Sequence, residues 1–194
     1  VKLKTFGPGV TKGVPTYVGI DQSYSGFGMC FLGEDGSYLA TVRSFANTGV
    51  ERLVDVQSHI LRSTIDAFSP SENLKDIAME GYAYGSQMAN MAGELGATVK
   101  LTVYTAYNVH PLIVPPTTLK KYVTGKGNGV KKSQMMLSVY KKWGVELLDD
   151  NAADAYALAK IASKHAETEY EKDVLKLLSD PKHREKTNEQ NPGI

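Results

Sequence analysis

The chain has 194 residues, 42% of them hydrophobic and 22% charged, with a formal net charge of +1. That suffices for one domain with a real core and is ordinary for a soluble globular protein. No run of 18 or more apolar residues is present, so no membrane span is expected. Nor does a charged-then-apolar leader open the sequence, so no secretory signal is expected. The single cysteine, Cys30, can form neither an intrachain disulfide nor a cysteine zinc site. It sits in an apolar run and reads as buried filler, which fits a reducing, intracellular setting.

The near-neutral total conceals an uneven distribution. Between Glu94 and Glu146 there is no acidic residue, while eight lysines fall there: Lys100, Lys120, Lys121, Lys126, Lys131, Lys132, Lys141 and Lys142. The remainder carries 14 basic against 21 acidic residues. A basic zone on an acidic body is the footprint of a polyanion-binding face, against the simpler reading of a solvated lysine-rich surface.

In chain order, residues 1–15 are rich in Gly, Pro and Lys and read as an extended arm. Tyr17–Asp21, Gly26–Leu32 and Ser37–Arg43 read as three strands of an antiparallel meander, the last two joined by the turn Gly33-Glu34-Asp35-Gly36. Val50, Leu53, Val54, Ile60, Leu61, Ile65 and Phe68 recur at helical spacing, and Pro70 ends that helix. Asp76–Gly81 is a buried strand finishing on a carboxylate. Met88, Met91, Ala92, Leu95, Gly96 and Val99 mark a second helix, and Leu112–Val114 a fifth strand stopped by Pro115-Pro116. Thr117 or Thr118 can cap a short helix through Val123. After the Gly125–Gly129 loop, a helix from about Lys131 to Trp143 stops at Gly144. Asp149 or Asp150 caps an alanine-rich helix from Asn151 to His165. A charged helix follows, then a polar tail from about Pro181 that is expected to be disordered.

This order predicts an α/β fold of the RNase H-like kind: a mixed five-stranded sheet, three antiparallel strands then two parallel, with helices on both faces. The expected division is an arm over 1–15, one domain over 16–166, and a charged helix and tail over 167–194.

Three carboxylates stand at element ends. Asp21 closes the first strand, Glu80 the fourth, and Asp154 lies near the start of the late helix. Asp21 follows an apolar strand, where a charge is costly without a partner. Converging carboxylates repel unless cations neutralise them, which predicts divalent metal. Oxygen ligands without paired Cys or His favour magnesium or manganese over zinc. Two such ions about 4 Å apart can activate a water and stabilise the leaving oxygen of a phosphodiester.

Four segments carry a family resemblance: VGIDQSYSGF (Val18–Phe27), AMEG (Ala78–Gly81), VPPTTLKKYVTGKGNGVKKSQMM (Val114–Met136) and NAADAYALA (Asn151–Ala159). In this order they resemble the RuvC Holliday-junction resolvases, including phage-type members, over roughly residues 16–165. The resemblance implies a crossover junction endodeoxyribonuclease that makes paired nicks in four-way or other branched DNA. It implies a place in recombination and repair, in the cytoplasm of a bacterial or phage-infected cell. It also implies that Asp21, Glu80 and Asp154 are metal-binding catalytic acids, with two Mg2+ or Mn2+ ions per site. Lys120 and Lys132 fall near the scissile phosphate, where a lysine can anchor it or stabilise developing charge. Lys121, Lys126 and Lys131 are expected to meet backbone phosphates, and Tyr82 and Tyr84 to stack on unpaired bases, against ordinary loop packing. The Met88–Val99 helix resembles the dimer helix, against ordinary core packing, and a homodimer is expected.

One departure stands out. Family members usually carry Asp or His three residues before the last acid, and here that position is Asn151. Either Asn151 ligates through its carbonyl oxygen, or Asp150 supplies the missing carboxylate, or Asn151 is an engineered replacement of an acid; a natural Asn helped by Asp150 is the favoured reading. A non-catalytic junction-binding protein and a general branched-DNA nuclease remain as alternatives. A sugar-kinase or actin-type ATPase, suggested by Asp21-Gln22-Ser23-Tyr24-Ser25-Gly26, needs two such domains, and the chain is too short. The GKGNGVKKS stretch is no P-loop, because Val130 follows Gly129.

Overall fold

The computed structural model describes residues 2–67, 73–81 and 89–184. Six strands form one mixed sheet: β1 (Lys2–Gly9), β2 (Thr16–Asp21), β3 (Phe27–Gly33), β4 (Tyr38–Ser44), β5 (Leu74–Glu80) and β6 (Leu112–Val114), in the order β1-β4-β3-β2-β5-β6. The antiparallel meander β2–β3–β4 and the parallel pairings of β5 with β2 and of β6 with β5 match the expected core.

The sixth strand is the difference. Where five strands and an extended arm are expected, the arm forms a sixth strand, β1, hydrogen-bonded antiparallel to β4 from Lys2↔Ser44 to Phe6↔Ala40. An irregularity between Phe6 and Gly9 absorbs Gly7 and Pro8. The Gly, Pro and Lys content that reads as a loop also suits an edge strand, which blunts further pairing with charge and irregularity. β1 thereby satisfies the outer backbone groups of β4.

Among the described residues, two helices cover one face of the sheet and four lie on the other side. On the first face, α1 (Gly49–Ala67) and α2 (Ala89–Tyr107) bury Val56, Ile60, Leu95, Val99 and Val103 against Val18, Ile20, Phe27, Met29, Ile77 and Met79. On the other lie α3 (Pro116–Thr124), α4 (Lys132–Trp143), α5 (Asp150–Ala162) and α6 (Glu169–Leu178). Cys30 is fully buried there, as expected of filler. No helix among the described residues is long and apolar enough to cross a membrane.

Side chains alternate along a strand, so Val18 and Ile20 face α1 and α2 while Gly19 and Asp21 face α5. The same alternation sends Ile77 and Met79 one way, and Ala78 and Glu80 toward α5. Two glycines fix how closely α5 approaches. A Cβ on Gly19 would lie 1.9 Å from the Ala155 carbonyl oxygen, and one on Gly28 would lie 2.5 Å from that of Asn151. The α5 backbone therefore rests directly on β2 and β3, and its alanines keep that face thin.

Helix ends differ in detail from expectation. α3 starts at Pro116 with no side-chain cap, so neither Thr117 nor Thr118 serves. Proline at the first helical position has preset φ and no N–H to satisfy. Of the two acids at the start of α5, Asp149 is the cap, accepting from the Asn151 N–H at 3.1 Å. Pro181–Arg184, expected to begin a disordered tail, is ordered: Pro181–His183 form a 3-10 turn, and Arg184 pairs with Asp76 at 2.5 Å and donates to the His110 carbonyl at 2.7 Å.

Candidate active site

Asp21 and Glu80 end neighbouring parallel strands, one step beyond the Ile20↔Met79 register pair. α5 crosses the same face with Asp154 in its first turns. One cleft of about 210 Å³ is lined by Asp21, Ser23, Glu80, Lys120, Val130, Lys132, Met135, Asp150, Asn151 and Asp154. Seven residues selected from the sequence are thus brought together: the three acids, Lys120 and Lys132, and the Asp150-Asn151 pair. Lys121, Lys126 and Lys131 are exposed and lie outside this lining. Tyr82 and Tyr84, like Phe68, Pro70 and Met88, lie outside the described residues.

The acids resist ionisation. Burial first, then the charges of Glu80 and Asp154, holds Asp21 well above the usual carboxylate range. Burial also raises Glu80, partly offset by a hydrogen-bonding contact with Asp21 and by Lys120. Asp154 is pushed up to about 7 by burial and by Glu80 and Asp150, against the pull of Lys120 and Lys132. Its Oδ1 is buried with no hydrogen-bond partner. Such a set stores electrostatic cost that a cation would relieve. Among the described residues, no three His, Cys, Asp or Glu side chains already form a metal-holding group. The donors nevertheless fit a hard divalent ion by chemistry: all are oxygens, and one buried carboxylate oxygen lacks a partner.

Lys132 forms an ion pair with Asp150 across the mouth of the cleft, the lysine being largely exposed. Asp149 stands one residue back. Its Oδ1 also accepts from Asn151 Nδ2 at 3.3 Å, and Lys4 of β1 donates to its Oδ2 at 2.5 Å. Burial opposes the Asp149 charge, but Lys4 and the Asn151 amides outweigh it and draw the carboxyl below its usual range.

Several contributing residues were not selected from the sequence. Gln22, directly after Asp21, donates through Nε2 to the Glu80 carbonyl oxygen at 2.6 Å, locking the ends of β2 and β5 together. Tyr24 in the following loop lies under the Arg52 guanidinium, 3.8 Å from its ring centre, which ties that loop to α1. Lys4 is a further example, and Asp149 was named from the sequence only as a possible helix cap. Adjacency to Asp21 was the one available signal for Gln22; nothing local marks Lys4.

Lys142, in contrast, leaves the basic face. It is mostly buried, pairs with Glu171, donates to the Tyr122 carbonyl at 3.0 Å, and lies among the Tyr122, Trp143 and Tyr170 rings. It joins α3, α4 and α6 rather than meeting solvent.

A six-stranded mixed sheet with acids at two central strand ends and on the crossing helix defines the RNase H-like class of fold. Within that class the fold is RuvC-like. The structure of RuvC from Thermus thermophilus matches with a TM-score of 0.57 at 19% identity, covering 74% of this chain and 90% of that one. T. thermophilus RuvC in complex with Holliday junction substrate matches with a TM-score of 0.58 at 18% identity, covering 74% and 89%. No family model and no curated protein matches at the level of sequence.

Proposed function

We propose that this chain is a divalent-metal-dependent endonuclease that cuts Holliday junctions or related branched DNA by paired nicks, acting in the cytoplasm. The observation carrying the proposal is the meeting of Asp21, Glu80 and Asp154 with Lys120 and Lys132 in one cleft of a RuvC-like fold. Asp21, Glu80 and Asp154 would hold Mg2+ or Mn2+, two ions per site, with Asp150 and Asn151 at the margin. Bound there, such ions activate water and stabilise the leaving oxygen of a phosphodiester. Lys120, among the acids, anchors the scissile phosphate. Lys132 exchanges its Asp150 partner for phosphate when DNA arrives. Gln22 and the α5 seat keep the acids in register. Lys121, Lys126 and Lys131 bind backbone phosphates, and Tyr82 and Tyr84 stack on unpaired bases.

Two opposed strands of a junction need two nicks, which a C2 homodimer supplies in one binding event. α2 supports that reading: Leu95 and Val99 face the sheet, while Met91, Leu101 and Tyr104 remain exposed. A second reading, a junction-binding protein without cutting activity, draws on Asn151 at an acid position and on the Lys132–Asp150 pair at the cleft mouth.

The deciding experiment offers four-way, three-way and linear duplexes side by side with Mg2+ or Mn2+, and measures the mass of the protein with and without a junction. Paired nicks in branched substrates by a dimer, leaving 5′-phosphate and 3′-hydroxyl ends, are expected. Asp21→Asn or Glu80→Gln should abolish cutting while junction binding persists. Binding without cutting by the unaltered chain would establish the second reading, and a strict monomer would remove the dimer.

A further inference from the structure

We infer that Lys4 and Asp149 form a positioning clamp that turns the Asn151 amide so that its carbonyl oxygen is the donor offered to the acidic cleft. This rests on the proposal that the cleft binds divalent metal, and it assigns the atom that replaces the missing acid.

The argument begins with hydrogen-bond chemistry. An ionised carboxylate only accepts. Asp149 Oδ1 lies 3.3 Å from the Asn151 side-chain nitrogen and 3.1 Å from its backbone nitrogen. Facing that oxygen, the amide must present its NH2 group, and the carbonyl oxygen is then its opposite end. Asn151 lines the cleft together with Asp21, Glu80 and Asp154. It lies three residues before Asp154, on the same side of α5.

The clamp is itself anchored. Asp149 is 9% exposed and caps α5, and its second oxygen takes the Lys4 ammonium at 2.5 Å. Lys4 is held in β1 by pairing with Val42. The edge strand thus braces the start of the helix that carries Asp154, across a separation of 145 residues.

The neighbourhood also selects amide over acid at position 151. An aspartate there would set a second carboxylate against Asp149 Oδ1, where like charges disfavour each other. Gly26 leaves the needed room: a Cβ on it would lie 2.7 Å from Asn151 Nδ2. An amide oxygen is a hard, neutral ligand suited to Mg2+ or Mn2+. It adds a donor without adding charge to a cleft already holding four carboxylates, those of Asp21, Glu80, Asp150 and Asp154.

The test measures Mn2+ binding to the DNA-free protein by electron paramagnetic resonance, alongside thermal stability in chelator. Asn151→Ala should weaken Mn2+ binding, and Asp149→Ser, which keeps a capping oxygen but not the charge, should weaken it about tenfold or more. Lys4→Ala, at an exposed strand position, should act in the same direction. The double variant Asn151→Ala/Asp149→Ser should bind no worse than Asn151→Ala alone, because Asp149 acts through Asn151. In chelator, Asn151→Asp should melt lower than the unaltered chain, and adding Asp149→Ser should restore it. Additive losses, unchanged Mn2+ binding in Asp149→Ser, or an unchanged melting point for Asn151→Asp would overturn the clamp. Asp21→Asn is the control: if it too leaves Mn2+ binding intact, the metal reading of the cleft fails, and the clamp's role in it fails with it.

Discussion

Asp21 and Glu80 stand abreast at the ends of adjacent parallel strands, and a single side chain, Gln22, fastens one strand end to the other through the Glu80 carbonyl. Buried Asp21 and half-buried Glu80, held this way, cannot separate to relieve their repulsion. Proton uptake or a cation must relieve it instead.

Stability without metal should therefore depend on pH through these acids. Asp154 sits at about 7 in the folded chain against an ordinary 3.8. A folded value above the unfolded one means that the native state holds the extra proton between those limits. Stability then falls as pH rises through that window and stays low above it. In chelator, Asp154→Asn should melt higher than the unaltered chain at pH 8, and the gap should close toward pH 4. At about 2–4 °C per kcal/mol for a chain of this size, several degrees are expected. His59, lowered to about 4 by burial and then by Arg43, costs stability as pH falls from 6.5 to 4. It is common to both proteins and cancels in the difference. A gap independent of pH would remove Asp154 from the acid cluster's titration.

The lysines should separate into three groups. Replacing exposed Lys126 or Lys131 with alanine should weaken binding to every DNA form and flatten the salt slope by about one unit each. Lys120→Ala and Lys132→Ala, inside the cleft lining, should reduce cutting more than binding. Lys142→Met should leave the salt slope unchanged, because that ammonium is spent on Glu171. Equal salt slopes and equal cutting defects across all five variants would contradict this division.

Glu171 should matter for folding rather than chemistry. It is 1% exposed. Burial works against its charge, but Lys142 and the Thr168 and Glu167 groups prevail and bring it to about 2 from 4.5. With the folded value depressed, its contribution is complete above pH 4.5 and is lost as pH falls toward 2. Glu171→Gln should cost about 3–5 kcal/mol, since it strands a buried ammonium. Urea unfolding at pH 7 measures the loss. A change under about 1 kcal/mol would show that the pair is not stabilising in place.

Much of the site was legible because strand alternation and element ends are local features. VGID and IAME each end on an acid whose parity faces away from the Val/Ile side, and NAADAYALA carries its acid near the start of a helix. What escaped was non-local or decided by backbone geometry. β1 escaped because its partner β4 comes some thirty residues later and Gly7-Pro8 interrupts its pattern. Asp149 and Asp150 are chemically identical neighbours, and backbone geometry alone makes one a cap and the other the partner of Lys132. Lys142 shares its spacing with surface lysines, and its burial depends on α6 folding over it.

The seating of α5 on Gly19 and Gly28 makes the position of Asp154 a matter of main-chain contact rather than side-chain fit. A helix cushioned by side chains settles differently whenever one of them changes size. A helix in contact with bare strand has a hard datum, and the spacing among Asp21, Glu80 and Asp154 is referenced to it. Substitutions among the apolar residues beneath α1 and α2 can therefore drift without moving the acids. One methyl group at position 19 or 28 lifts the whole helix and takes Asp154 with it. The tolerance of this cleft to sequence change is set less by the residues that line it than by two that have no side chain.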